Sequence, residues 1–168
     1  ITQSGVITGL FFHQVYLIGV KGWSFEWWSI CFSIFAAFSL VGGLTAGWMV
    51  DRFTARKIAP YTLLFMIAAL VMLGHLEHPA FAAVIMAALG VGAGSTTPSQ
   101  SSMWAELYGT QHLGAIRSVV NVVMVFGSAL GPVFMGVAFD LEVPLGIITY
   151  FSAALAVIAV LLTYLALK

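Results

Sequence analysis

Charge is the commodity this chain is short of. Only 7% of its 168 residues are Asp, Glu, Lys or Arg, against roughly 25% in soluble domains, and mean hydropathy reaches +1.06. So few charges cannot clothe a water-soluble globule. Six basic residues offset six acidic ones, so the positive surface that nucleic acid demands is also missing. Cysteine is almost absent. Cys31 has no second cysteine to pair with, which excludes an intrachain disulfide and a cysteine-based zinc site. The sequence opens on Ile1 rather than Met, without the basic stretch and short apolar core of a secretory signal, so the chain is expected to be a piece of a longer one.

What is present is apolar sequence in helix-length runs. A membrane helix takes about 20 such residues, and breaks at charged, Gly/Pro and polar clusters leave six: 1–20, 25–50, 58–75, 79–103, 115–139 and 144–167. The expected fold is an all-α membrane protein of six transmembrane helices, with connections too short to form a soluble domain. Arg52, Arg56, Lys57, Arg117 and Lys168 fall on one side if the spans alternate, and Lys21 falls on the other. The positive-inside rule then places both termini in the cytoplasm. Trp23, Trp27 and Trp28 gather at one outer edge, while Trp48 and Trp104 flank inner loops, as interfacial anchors would. Gly47-x-x-x-Asp51 and Gly136-x-x-x-Asp140 lie three spans apart, so the two copies sit on opposite sides, the pattern of a 3+3 inverted repeat.

The most specific stretch is Gly43-Leu-Thr-Ala-Gly47-Trp-Met-Val-Asp51-Arg52-Phe-Thr-Ala-Arg56-Lys57. It resembles the Gly-x-x-x-Asp-Arg-x-Gly-Arg-Arg loop of the major facilitator superfamily. Gly47, Asp51, Arg52 and Arg56 match, whereas Thr54 stands at the motif's glycine and Ala55 at its first arginine. Gly43 and Gly47 form a small-xxx-small pair suited to close helix approach, and Asp51 could meet a helix N-terminus or an arginine. The resemblance implies a cytoplasmic latch made by Gly47, Asp51, Arg52 and Arg56. It also implies that residues 1–168 are the C-terminal half of a twelve-helix fold whose N-terminal six-helix half is the missing partner.

Span five reads Gly127-Ser-Ala-Leu-Gly131-Pro132-Val-Phe-Met-Gly136-Val-Ala-Phe-Asp140. This is similar to a helix of monocarboxylate-carrier-like members of the same superfamily, and with Phe12-His13-Gln14 and Lys21-Gly22-Trp23-Ser24 it resembles bacterial facilitators. A bacterial inner membrane is the implied location. Pro132 would free the Ser128 carbonyl, making Gly131-Pro132 a candidate helix bend.

Span four turns polar at Ser95-Thr-Thr-Pro-Ser-Gln-Ser-Ser102, a run suited to a cavity or to helix contacts rather than to lipid. Its Gly90-x-Gly92-x-Gly94 lacks the strand of a dinucleotide turn and is read as close helix packing. Polar groups at bilayer depth are functional candidates. His13, Gln14, Gln100 and Asn121 are therefore the expected substrate path, with helix-to-helix hydrogen bonding as the competing role for each. Gln3 shares a face with Gln14. No Asp or Glu lies mid-membrane, so proton coupling falls to the missing half or to His13. His75, Glu77 and His78 are a weak outer-loop metal cluster. No cofactor or metal is expected.

These readings converge on a non-enzymatic secondary transporter of a small solute, embedded in the lipid bilayer, with a proton as candidate coupling ion. Two alternatives remain: a non-transporting membrane scaffold, and a six-helix intramembrane serine protease using Ser95 or Ser128 with His13 as base.

Overall fold

A backbone in hydrocarbon must satisfy its own hydrogen bonds, which a helix does within one segment. The computed structural model describes residues 1–168 and contains only helices and their connections. The first segment holds α1 (Thr2–Phe12) and α2 (Gln14–Lys21). Next come α3 (Phe25–Phe53), the short α4 (Ala55–Ile58), a 3-10 turn over Ala59–Leu63, and α5 (Leu64–His75). α6 (Ala80–Tyr108), α7 (Leu113–Asp140) and α8 (Leu145–Ala166) complete the chain.

Five stretches are long and apolar enough to cross a membrane: Phe25–Phe53, Ala55–His75, Ala80–Tyr108, Leu113–Asp140 and Leu145–Ala166. The expected first span, 1–20, differs. It is interrupted at His13 (φ −97°, ψ 22°) into helices of 11 and 8 residues. His13 still donates its N–H to Gly9 and accepts from Leu17, so the path continues through the break. α6, the fourth expected span, also runs past its expected end at 103, because Trp104-Ala-Glu-Leu are competent helix residues and only Gly109, at φ 72°, stops it. Trp104 and Glu106 therefore stand on helix rather than in a loop.

α3 lies along α6, α1 along α7, and α5 between α6 and α8. In lipid such pairs are held by van der Waals packing rather than by expulsion of water, so close backbone approach decides them. Gly42 of α3 is pressed on α6: a Cβ there would fall 2.5 Å from the Val91 carbonyl oxygen. Gly90 and Gly94 meet the backbone of Phe35 and Ser39 from the other side, and Gly131 of α7 meets Gly5 of α1 in the same manner. The glycine triplet of span four is thus a packing surface, as its sequence suggested. Leu17, Cys31, Met66, Leu70, Leu73, Ile85, Met86 and Leu89 fill the centre.

The tryptophans depart from expectation. Trp23 and Trp28 are buried and stack at 5.7 Å, so they belong to the packed interior and not to an interfacial belt. Trp48 remains exposed. A reason is visible where the α2–α3 and α5–α6 connections meet. Trp23 Nε1 donates to the Glu77 carbonyl at 2.6 Å, Trp27 Nε1 to Pro79 at 2.7 Å and Lys21 Nζ to Leu76 at 3.2 Å. Burial lowers the Lys21 pKa by more than the neighbouring Glu77 raises it.

Candidate functional site

His13 sits where α1 gives way to α2, and its ring turns toward α7. Nε2 lies 2.9 Å from the Pro132 carbonyl oxygen. A carbonyl can only accept, so Nε2 carries the proton and Nδ1 of the neutral ring is left as an acceptor. The ring rests against Gly136, whose missing side chain makes the room: a Cβ there would be 3.3 Å from His13 Cε1. Phe12 and Phe139 present their rings to it at 5.4 and 5.2 Å. The candidate path residue and the candidate bend are therefore in direct contact. α7 itself continues as one helix through Gly131 and Pro132.

The other three path candidates lie apart. Gln14 Oε1 accepts from Trp28 Nε1 at 3.0 Å, which ties it to the interior. Gln100 is half-buried on α6 and Asn121 exposed on α7. Asn121 precedes Gly136 by 15 residues, about 22 Å along a helix, so it and His13 mark different depths. No hydrogen bond joins any two of the four.

Two polar links escaped the sequence reading. Thr96 Oγ1 donates to Gln3 Oε1 at 2.6 Å, joining α6 to α1, and Ser4 Oγ donates to the Met124 carbonyl at 3.0 Å, joining α1 to α7. Ser95, Thr96 and Ser99 are buried within this bundle. That face of the polar run serves helix contacts. Ser95 and Ser128 donate to carbonyls of their own helices, Gly92 and Val125, and neither meets His13, so the serine-protease constellation is not assembled. His75 bonds Tyr150, and His78 Nδ1 accepts from Ala80 N; no metal-holding group of His, Cys, Asp or Glu forms.

Between α3 and α4 the chain turns sharply at Thr54, whose φ of 103° is a conformation glycine adopts without strain and a β-branched residue does not. This is the position at which the resembled motif carries glycine. Beyond it, Glu106 receives α4: its Oε1 accepts from Ala55 N at 2.7 Å, its Oε2 from Arg56 N at 3.2 Å, and its carbonyl accepts from Arg56 Nη2 at 3.0 Å. In the sequence Glu106 was legible only as one of the acids away from mid-membrane. Asp51 and Arg52 are exposed, with the Arg52 guanidinium near the rings of Trp48 and Phe53 at 5.9 and 6.0 Å. The two glycines of the small-residue pair part company: Gly43 touches the Gly94 carbonyl side of α6, whereas a side chain at Gly47 would meet nothing within 4 Å.

A family model described as Major Facilitator Superfamily matches residues 4–168. No curated protein matches the chain.

Proposed function

The chain belongs to the major facilitator superfamily, and from that premise we propose that this membrane transporter segment is the C-terminal six-helix half of a twelve-helix secondary carrier. In this reading two six-helix bundles rock around a small solute held between them. The observation that carries it is the packing order. If the first three spans are exchanged with the last three, the α1–α7 pair becomes the α6–α3 pair, and α5–α8 maps onto itself. The glycine contacts follow the exchange: Gly131 on Gly5 has its counterpart in Gly42 on the Val91 backbone beside Gly90. Such interchange is what a 3+3 inverted repeat requires.

The inner loop fits a latch against the absent half. Gly47 leaves an open spot on α3 and Asp51 is exposed one turn later, so a partner helix could approach there and offer its N-terminal amides to the carboxylate. Arg52 would pair across the same contact. Arg56 is held on the near side by Glu106. Along the solute path, Gln100 and Asn121 keep their amides open, while Gln14 offers its NH2 group and His13 its Nδ1. With no mid-span carboxylate in residues 1–168, His13 is this half's candidate proton carrier, and the Pro132 contact holds it beside Gly131-Pro132, where a bend would move it. The resemblance of α7 to bacterial facilitators supports a bacterial inner membrane, and the basic residues support a cytoplasmic position for both ends of the segment.

The sequence encoded upstream of Ile1 tests the assignment. Six further apolar spans bearing a Gly-x-x-x-Asp-Arg loop are expected. A reading frame that starts at Ile1, or solute flux through liposomes holding this chain alone, overturns it.

A further inference from the structure

At the inner-loop end, between the α3–α4 corner and the last turn of α8, lies a cavity of about 540 Å³. Arg56, Lys57 and Lys168 line it, and no Asp or Glu does. Phe53, Tyr61 and Tyr164 share the same walls, and the remaining lining is mostly apolar. The three basic residues are exposed. Glu106, the acid bonded to this corner, has both carboxylate oxygens engaged by the amides of Ala55 and Arg56. A cluster of basic side chains with no acid among them suits a phosphate, which guanidinium and ammonium groups both bind. The apolar walls suit hydrocarbon instead. A ligand that is phosphate at one end and hydrocarbon at the other satisfies both demands, and a free phosphate only the first.

The position agrees. α3 ends at Phe53 and α8 at Ala166, so the cavity lies where spanning helices stop and headgroups begin, the level at which tyrosines concentrate. We propose that this cavity binds one anionic phospholipid, its phosphate against Arg56, Lys57 and Lys168 and the first part of its acyl chains along Phe53, Tyr61 and Tyr164. Basic pockets between membrane helices are suited to anionic headgroups. Because the bound lipid would touch Arg56, it would also steady the corner that Glu106 holds. The inference concerns lipid recognition and does not depend on the identity of the solute.

Native mass spectrometry of the purified chain in neutral detergent tests it, with dioleoyl phosphatidylglycerol and dioleoyl phosphatidylcholine as probes. The chain is expected to retain one phosphatidylglycerol in preference to phosphatidylcholine. In the Lys57→Gln/Lys168→Gln variant, phosphatidylglycerol should bind about 20–30-fold more weakly, at roughly a fivefold loss per surface lysine, with phosphatidylcholine unchanged. The Lys57→Arg/Lys168→Arg variant should keep the preference. Excess inorganic phosphate should not displace the lipid. Equal retention of the two lipids by the unaltered chain overturns the proposal, as does a preference that survives loss of both lysines. Displacement by phosphate assigns the cavity to a free anion and overturns it equally.

Discussion

Glu106 and Arg56 bind each other in both directions. The Glu106 carboxylate accepts the Arg56 main-chain N–H at 3.2 Å, and the Arg56 guanidinium donates to the Glu106 carbonyl at 3.0 Å. With Ala55 N added at 2.7 Å, one side chain from the end of α6 caps a four-residue helix some 50 positions earlier. Glu106→Ala removes the cap and is expected to cost about 1–2 kcal/mol. Glu106→Gln should lose less, since one amide oxygen still accepts. A thermal unfolding series in detergent would show it, and equal effects of the two changes would contradict a capping role.

Thr54 is the second point of leverage on that corner. Holding a β-branched residue at φ 103° costs of order 1–3 kcal/mol, which glycine would relieve while adding some entropy to the unfolded chain. Thr54→Gly should therefore raise stability by about 1 kcal/mol. A lower melting temperature in this variant would show that Thr54 is not strained.

Gly131 and Gly47 give opposite expectations for the same chemical change. A methyl at Gly131 collides with the Gly5 backbone, so Gly131→Ala should separate α1 from α7 at a cost of about 1–3 kcal/mol. Gly47→Ala meets nothing in this chain and should leave its stability within ~0.5 kcal/mol. If the latch is as proposed, the same Gly47→Ala change would slow transport once both halves are present. Flux assays beside melting curves separate the two.

At the α5–α6 connection, Trp27→Phe removes one hydrogen bond to the Pro79 carbonyl while keeping most of the ring packing. A loss of about 1 kcal/mol is expected. Trp23→Phe should cost more, because Trp23 is buried, its hydrogen bond is better shielded from solvent than that of Trp27, and the smaller ring also leaves packing unfilled. Reversed order would place the weight of these residues in lipid contact instead.

Five of the six expected spans were readable from sequence because an apolar run of membrane length, repeated along a chain with so little charge, has no aqueous surface to support it and must lie in lipid. The end of the fourth was not. Trp104-Ala-Glu106-Leu looked like loop because charge and aromatic residues accompany interfaces, yet those residues favour helix as readily. The break at His13 coincides with the polar pair His13-Gln14, but polar residues at bilayer depth also stand on unbroken helices, so the pair read as a candidate path rather than as an interruption. Trp23 and Trp28 misled for a similar reason: an indole suits a headgroup layer and a packed core with a carbonyl in reach equally well. The Gly-x-x-x-Asp-Arg motif stood out in the sequence because Gly47, Asp51, Arg52 and Arg56 keep fixed spacing. Its anchor, Glu106, did not, because nothing local pairs positions 56 and 106. The same holds for Gln3 with Thr96. Distant polar partners are set by tertiary packing.

The carbonyls of Leu76, Glu77 and Pro79 are each held by a donor from the stretch 21–27. A protease must draw its target out as an extended strand, with those carbonyls free to meet the enzyme. Cleavage between α5 and α6 therefore has to wait for the clasp to open. Digestion time, compared between the native chain and Trp27→Phe, becomes a clock for how often this short connection lifts from the bundle.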